Sequence, residues 1–159
     1  MSGELRLLNR QRARPVDLRR LRAIVRNLLR EQLQLENFDL TIHLVNSVTM
    51  ARLNETHLQH AGATDVITLD YSDAGASSAL VGEIFVCVDE ALIQARRFRT
   101  TWQNELLRYI IHGVLHLGGF DDERAASRRR MKREEDRLLG KLARDFDLSK
   151  LRRKPTVRA

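Results

Sequence analysis

The chain has 159 residues, 43% apolar and 31% charged, with a net charge of +7. This length suits one core, burying roughly 68–70% of the surface that the unfolded chain exposes, and disfavours two domains. No apolar run approaches the ~20 residues that a bilayer crossing needs, so a membrane span is excluded, and the Arg-rich start lacks the apolar region of a secretory signal.

After the Arg-rich lead, Pro15-Val16-Asp17 opens a predicted helix. Its apolar residues Leu18, Leu21, Ile24, Val25, Leu28 and Leu29 recur at three and four, leaving an outer face of arginines. The run Leu40-Thr41-Ile42-His43-Leu44-Val45 alternates as a strand, and Ser47 can cap a second helix reaching past Leu53 and Leu58 toward Gly62. Residues 64–71 and 80–88 read as two strands flanking a turn around Asp73-Ala74-Gly75, hence an antiparallel hairpin. The second of them holds Cys87, the one cysteine, which cannot close an internal disulfide and suits a buried thiol in a reducing cytoplasm.

Asp89 can cap a third helix running to Phe98, and Thr100 precedes a fourth with apolar residues on nearly all sides, which places it at the centre. That helix stops at Gly118-Gly119, where glycine accepts the left-handed backbone that ends a helix. A charged fifth helix over about 125–143 follows. The expected architecture is α+β, or mixed α/β: a small mixed sheet of three to four strands packed with about five helices. A single domain over 1–148 is expected, and 149–159 reads as a basic tail that need not be ordered.

The positive charge is local. Residues 124–159 carry 14 Lys and Arg against 5 Asp and Glu, a net of +9, whereas the other 123 residues have a net of −2. Such a segment fits a polyanion, and equally a solvated helix face with a frayed tail.

The chemistry concentrates in His112-Gly113-Val114-Leu115-His116-Leu117-Gly118-Gly119-Phe120-Asp121-Asp122. Histidines four apart share one helix face with β-carbons about 5–6 Å apart, close enough to bind one ion. The Gly-Gly break lets the chain reverse, so Asp122 can supply a third ligand and leave a coordination position open. Two histidines that only satisfy hydrogen bonds in a buried helix are the alternative, but each unpaired buried polar group costs about 1–3 kcal/mol. Gly113 stands where the metalloprotease pattern has its general-base glutamate, which argues against peptide hydrolysis by that route.

This run resembles the signature of the YbeY family of single-metal endoribonucleases, His-Gly-x-Leu-His-Leu-x-Gly-aromatic-Asp-His. Upstream, Leu53-Asn54, Thr64-Asp65-Val66-Ile67-Thr68 and Gly82-Glu83-Ile84 resemble further family elements in the same order, and Met131 falls where the family tends to place methionine. The resemblance implies a single-strand-specific, metal-dependent endoribonuclease of ribosomal RNA maturation, acting on the 3′ end of the small-subunit RNA and in ribosome quality control. It also implies RNA and the small ribosomal subunit as partners and a cytoplasmic location.

Two departures stand out. Asp122 replaces the third family histidine, so the expected metal set is His112, His116 and Asp122, with Asp121 in a supporting or capping place. The expected ion is one zinc per chain, with iron and manganese fitting the same donors, and the carboxylate weakens its Lewis acidity. His57-Leu58 stands where the family has an aromatic followed by arginine, a natural phosphate clamp; His57, His60, Arg52 or the basic segment are the substitutes at hand.

The general base stays open among Glu83 and Asp65, by their family-like positions, and His57. Arg128, Arg129, Arg130, Arg152, Arg153 and Lys154 are the expected RNA-binding residues. Aromatics are only 5%, which disfavours a stacking platform for bases. Two other classes remain: a non-catalytic ribosome-assembly protein with a structural metal, and a metal hydrolase of a different substrate.

Overall fold

Alternating side chains build the sheet. In the computed structural model, which describes residues 3–58, 64–72 and 79–155, strand β1 (Gly3–Asn9) buries Leu5 and Leu7 on one side and turns Glu4, Arg6 and Leu8 outward. The sequence reading passed over this strand as part of the Arg-rich lead. β1 pairs in parallel with β2 (Phe38–Val45), β2 in parallel with β4 (Leu80–Cys87), and β3 (Val66–Asp70) closes the sheet antiparallel to β4. The order β1-β2-β4-β3 gives four strands among the described residues, and with five α-helices there the α+β expectation and the antiparallel β3–β4 pair hold, while the turn expected around Asp73-Ala74-Gly75 lies outside the described residues.

The two sheet faces differ. Leu40, Ile42, Leu44, Ile84 and Val86 point to one face and join the main core, where α1 (Leu18–Asn27) and the central α4 (Trp102–Leu117) bury their apolar residues. The residues between them, Thr41, His43, Glu83 and Phe85, therefore point to the other face. There α2 (Ser47–Leu53) adds Met50 to a smaller cluster with Val45, Ile67 and Cys87. The thiol is buried as expected, and burial pushes its pKa up.

Two helices start earlier than expected, α2 by one residue and the third helix by two. Asn46, not Ser47, caps α2, its side chain accepting from the Thr49 N–H at 2.9 Å. Asp89 accepts from the Ser47 N–H at 2.7 Å, so the residue expected to cap the third helix serves the second. Helix α3 (Val88–Arg97) starts directly after Cys87 without a side-chain cap. Both α1 and α2 continue as a wider, π-type turn, over Leu28–Gln32 and Asn54–Leu58.

Helix α4 lies close against β4, and glycine permits it. A β-carbon on Gly113 would come within 2.8 Å of Ile84 Cγ2, which gives a packing reason for glycine directly after the first histidine. Gly119, at φ 103°, makes the left-handed turn expected after the helix, and α5 (Ala125–Asp145) then folds back along α4. The tail is not loose where it is described. Leu148–Leu151 forms a 3₁₀ turn with Leu151 fully buried, and Arg152 pairs with Val16 in an isolated antiparallel bridge. Buried Leu148, just before the tail, and Leu151 within it supply the apolar area that holds it down.

Candidate active site

Helix α4 and the turn after it bring two of the three expected ligands together. His112 Nε2 stands 3.6 Å from Asp122 Oδ2. Two donors bound to one tetrahedral ion at ~2.0–2.2 Å would lie roughly 3.4 Å apart, so this separation suits a shared cation. His116, one turn further along the same helix, is exposed, and its side chain has no hydrogen-bond or ion-pair partner among the described residues. Among the described residues, no three His, Cys, Asp or Glu side chains converge as a ready-made metal cluster.

The residue that fixes His112 is one the sequence reading missed. Glu135 on α5, buried to 8% exposure, meets His112 Nδ1 through Oε2 at 2.8 Å. Its other oxygen faces the Arg108 guanidinium at 3.7 Å, and Arg108 also donates to Asp136 at 2.8 Å. A neutral ring with its proton on Nδ1 turns the Nε2 lone pair toward the Asp122 carboxylate. Two electron-pair donors facing each other are favourable only with a cation between them, either a second ring proton or a metal ion. Accordingly the Glu135 hydrogen bond, partly opposed by burial, raises the pKa of His112.

Glu135 was legible in principle. On α5 the buried positions Met131, Glu135, Leu138 and Leu142 follow the helical repeat, so a carboxylate occupies a place that periodicity assigns to the core.

The turn carrying Asp122 is braced from both sides. Asp121 accepts from the Glu123 N–H at 2.9 Å, and Arg128 donates to the Glu123 carbonyl at 3.0 Å. The Arg130 guanidinium lies 5.8 Å from the Phe120 ring centre. Gly119, Phe120, Asp121, Ser127 and Arg130 line a cleft of about 280 Å³ beside the turn. Arg129 is exposed on the same helix.

The candidate bases separate. Asp65, next to β3, is one of the charges that raise the His112 pKa, and its Oδ1 accepts from the Val66 N–H at 2.8 Å. Glu83 lies away from the histidines. Its neighbours Gly82 and Ile84 face α4, through contacts a β-carbon would make with Leu117 and those Ile84 makes at Gly113, so Glu83 points to the opposite face. There it accepts from the Tyr71 hydroxyl at 2.6 Å and meets His43 Nε2 at 2.8 Å. The Tyr71 hydrogen bond is the main reason its pKa falls below the usual range. His60, with the side chains of His57 and Leu58, lies outside the described residues, and Arg52 is exposed at the end of α2.

Known proteins resemble the chain along most of its length. The family described as Endoribonuclease YbeY matches residues 6–143. The chain belongs to the YbeY family. It is 43% identical to the endoribonuclease YbeY of Chlorobium luteolum over 93 residues, covering 58% of this chain and 66% of that protein, just under two thirds of its length. It is 34% identical to that of Salinibacter ruber over 106 residues, covering 63% of this chain and 68% of that protein. The YbeY protein of Syntrophotalea carbinolica is similar along nearly its whole length, 27% identical over 91% of this chain and 99% of that protein. A solution structure from Thermotoga maritima shares the fold, with a TM-score of 0.67 at 23% identity, covering 98% of this chain and all of that one.

Proposed function

We propose that this chain is a metal-dependent endoribonuclease that cleaves single-stranded RNA during ribosomal RNA processing, working at the small ribosomal subunit in the cytoplasm. The observation that carries the proposal is the placement of His112. Its Nδ1 is engaged by buried Glu135 and its Nε2 faces Asp122. Family membership supplies the reaction class. Among the described residues, no helix is long and apolar enough to cross a membrane.

The donor chemistry fits one divalent ion, zinc or, given the carboxylate, iron or manganese, on His112, Asp122 and the exposed His116. When bound, such an ion supplies the positive charge that polarises a phosphodiester and lowers the pKa of an attacking water. The protein's own groups do the rest. Glu135 holds the His112 ring with one nitrogen outward, and Arg108 holds Glu135. Gly119 turns Asp122 back toward the helix, while Arg128 and Asp121 fix that turn. Arg130, at the rim of the cleft, can donate to a phosphate in the role left open by Leu58. Asp65 is the base candidate whose charge acts on His112.

Incubating the full chain with a single-stranded RNA, with and without a chelator and beside His116→Ala, tests this reading. Cleavage is expected only for the parent with metal present, with one ion per chain by elemental analysis. A variant that cuts as fast as the parent overturns the enzymatic reading. Tight RNA binding without turnover would instead make the chain an assembly protein, and turnover of small phosphoesters alone would make it a different hydrolase.

A further inference from the structure

The docked tail does more than end the chain. The Asp17 N–H donates to the Leu151 carbonyl at 2.7 Å and the Arg153 N–H to the Pro15 carbonyl at 2.8 Å, so the tail is fastened to the segment entering α1. Buried Gln11 stiffens the loop on the other side, donating to Asn9 at 2.9 Å and to the Arg14 carbonyl at 2.8 Å while accepting from the Arg14 N–H at 3.1 Å. Two adjoining clefts result, and both are lined by Asp17 and Arg153. One of about 470 Å³ adds Arg12 and Arg14. The other, of about 560 Å³, adds Arg20, Lys150, Arg152 and Lys154.

Charge there is one-sided. Against these seven cations the clefts hold one carboxylate, Asp17, which accepts from the Arg20 N–H at 3.1 Å and pairs with its Nε at 3.3 Å. Asp147 stands beside them, occupied with the N–H and hydroxyl of Ser149 at 3.1 and 2.6 Å. Arg12, Lys150, Arg152, Arg153 and Lys154 have no ion-pair partner among the described residues. The large exposed apolar residues, Leu8, Val48, Tyr71, Ile93 and Phe98, all lie outside the groove, which disfavours insertion into a lipid surface.

We propose that this groove, built jointly by the N-terminal segment and the docked tail, binds the sugar-phosphate backbone of single-stranded RNA as an anchor separate from the histidine centre. Arginine forks match phosphate geometry, and a groove of cations without aromatic platforms grips the backbone rather than the bases. The placement sets a distance. Leu148 and Ser149 share a cleft with Thr101 and Asn104 at the start of α4, whereas His112 and His116 lie toward its other end. At 1.5 Å per residue that helix is roughly 24 Å long. A strand reaching both regions must run along α4 for several nucleotides. The anchor rests on the reading that RNA is the substrate.

The test is binding of a fluorescent 2′-O-methyl RNA of about 20 nucleotides, which resists hydrolysis, titrated in chelator over a range of salt. Replacing Arg152, Arg153 and Lys154 together by glutamine should make the slope of log K against log salt shallower by about two, at about 0.7 per phosphate contact. Replacing Arg96, Arg97 and Arg99 removes the same charge elsewhere and should leave the slope unchanged. If the first triple variant does not fold by circular dichroism, Lys150→Gln with Lys154→Gln reads the same effect at about two thirds the size. Equal slopes for parent and groove variants, or equal losses for both triple variants, overturn the anchor. So does tighter binding to anionic vesicles or polyglutamate than to RNA. Because no cleavage is measured in this titration, a His116→Ala variant that cuts as fast as the parent would refute the enzymatic reading and leave the anchor standing.

Discussion

Two histidine–glutamate pairs sit on opposite faces of one sheet, each 2.8 Å across, and they do different things. His43 is buried to 6% exposure, stacked on Phe85 with ring centres 4.2 Å apart, and its Nδ1 has no hydrogen-bond partner. The His112 side chain keeps 27% of its surface accessible and turns its free nitrogen toward a carboxylate. Glu83 is braced by a neutral tyrosine, Glu135 by an arginine. What separates the candidate ligand from the packing residue here is the group the second nitrogen faces, not the pair itself.

The sharpest way to break this contrast is to remove the two acids in turn. Glu135→Gln should weaken divalent-metal affinity about 10–100-fold, by analogy with other supporting carboxylates, while Glu83→Gln should leave it unchanged in a chelator competition titration. Gly113→Ala tests the close approach on the face that packs against the histidine helix. Alanine favours a helix by about 1 kcal/mol, but the β-branched Ile84 at 2.8 Å cannot swing aside, so a net loss of about 1–2 kcal/mol is expected by urea unfolding.

On the opposite face, Tyr71→Phe should cost about 1 kcal/mol or less at pH 7, since both partners are partly exposed. The pH dependence has a definite sign. Glu83 titrates below its ordinary 4.5 when folded, so its contribution is present above that value and lost as pH falls through the lower native one. Urea unfolding at pH 7 and pH 3 should therefore show the parent's advantage over Tyr71→Phe shrinking at the acid end. The smallest effect, about 0.5–1 kcal/mol, is expected for Asp89→Ala, which removes only one accepted hydrogen bond at the start of α2.

Periodicity made most of the fold legible. The amphipathic α1, the alternating β2, the hairpin and the apolar α4 were all readable, because each buries one side or all sides against the same core. β1 was hidden by composition: two arginines within Leu5-Arg6-Leu7-Leu8-Asn9-Arg10 masked the alternation of Leu5 and Leu7. Asp89 was assigned to the wrong helix because a cap acting across 42 residues has no local signature. The motif pointed to His112, His116 and Asp122, and the fold brings His112 and Asp122 to 3.6 Å with His116 one turn away. Glu135 was lost in the run Glu134-Glu135-Asp136, where only burial distinguishes it from its neighbours.

The helical hairpin of α4 and α5 also has a consequence for how the molecule comes together. His112 and Glu135 are 23 residues apart along the chain, whereas His43 and Glu83 are 40 apart. The shorter closure is cheaper in chain entropy, though only by about 0.5 kcal/mol. More telling is that the histidine centre needs no strand for its own contacts, while each parallel pairing of the sheet waits on a crossover. Chemistry and scaffold thus differ in their demands on long-range order, the former resting on neighbours that a growing chain delivers almost together.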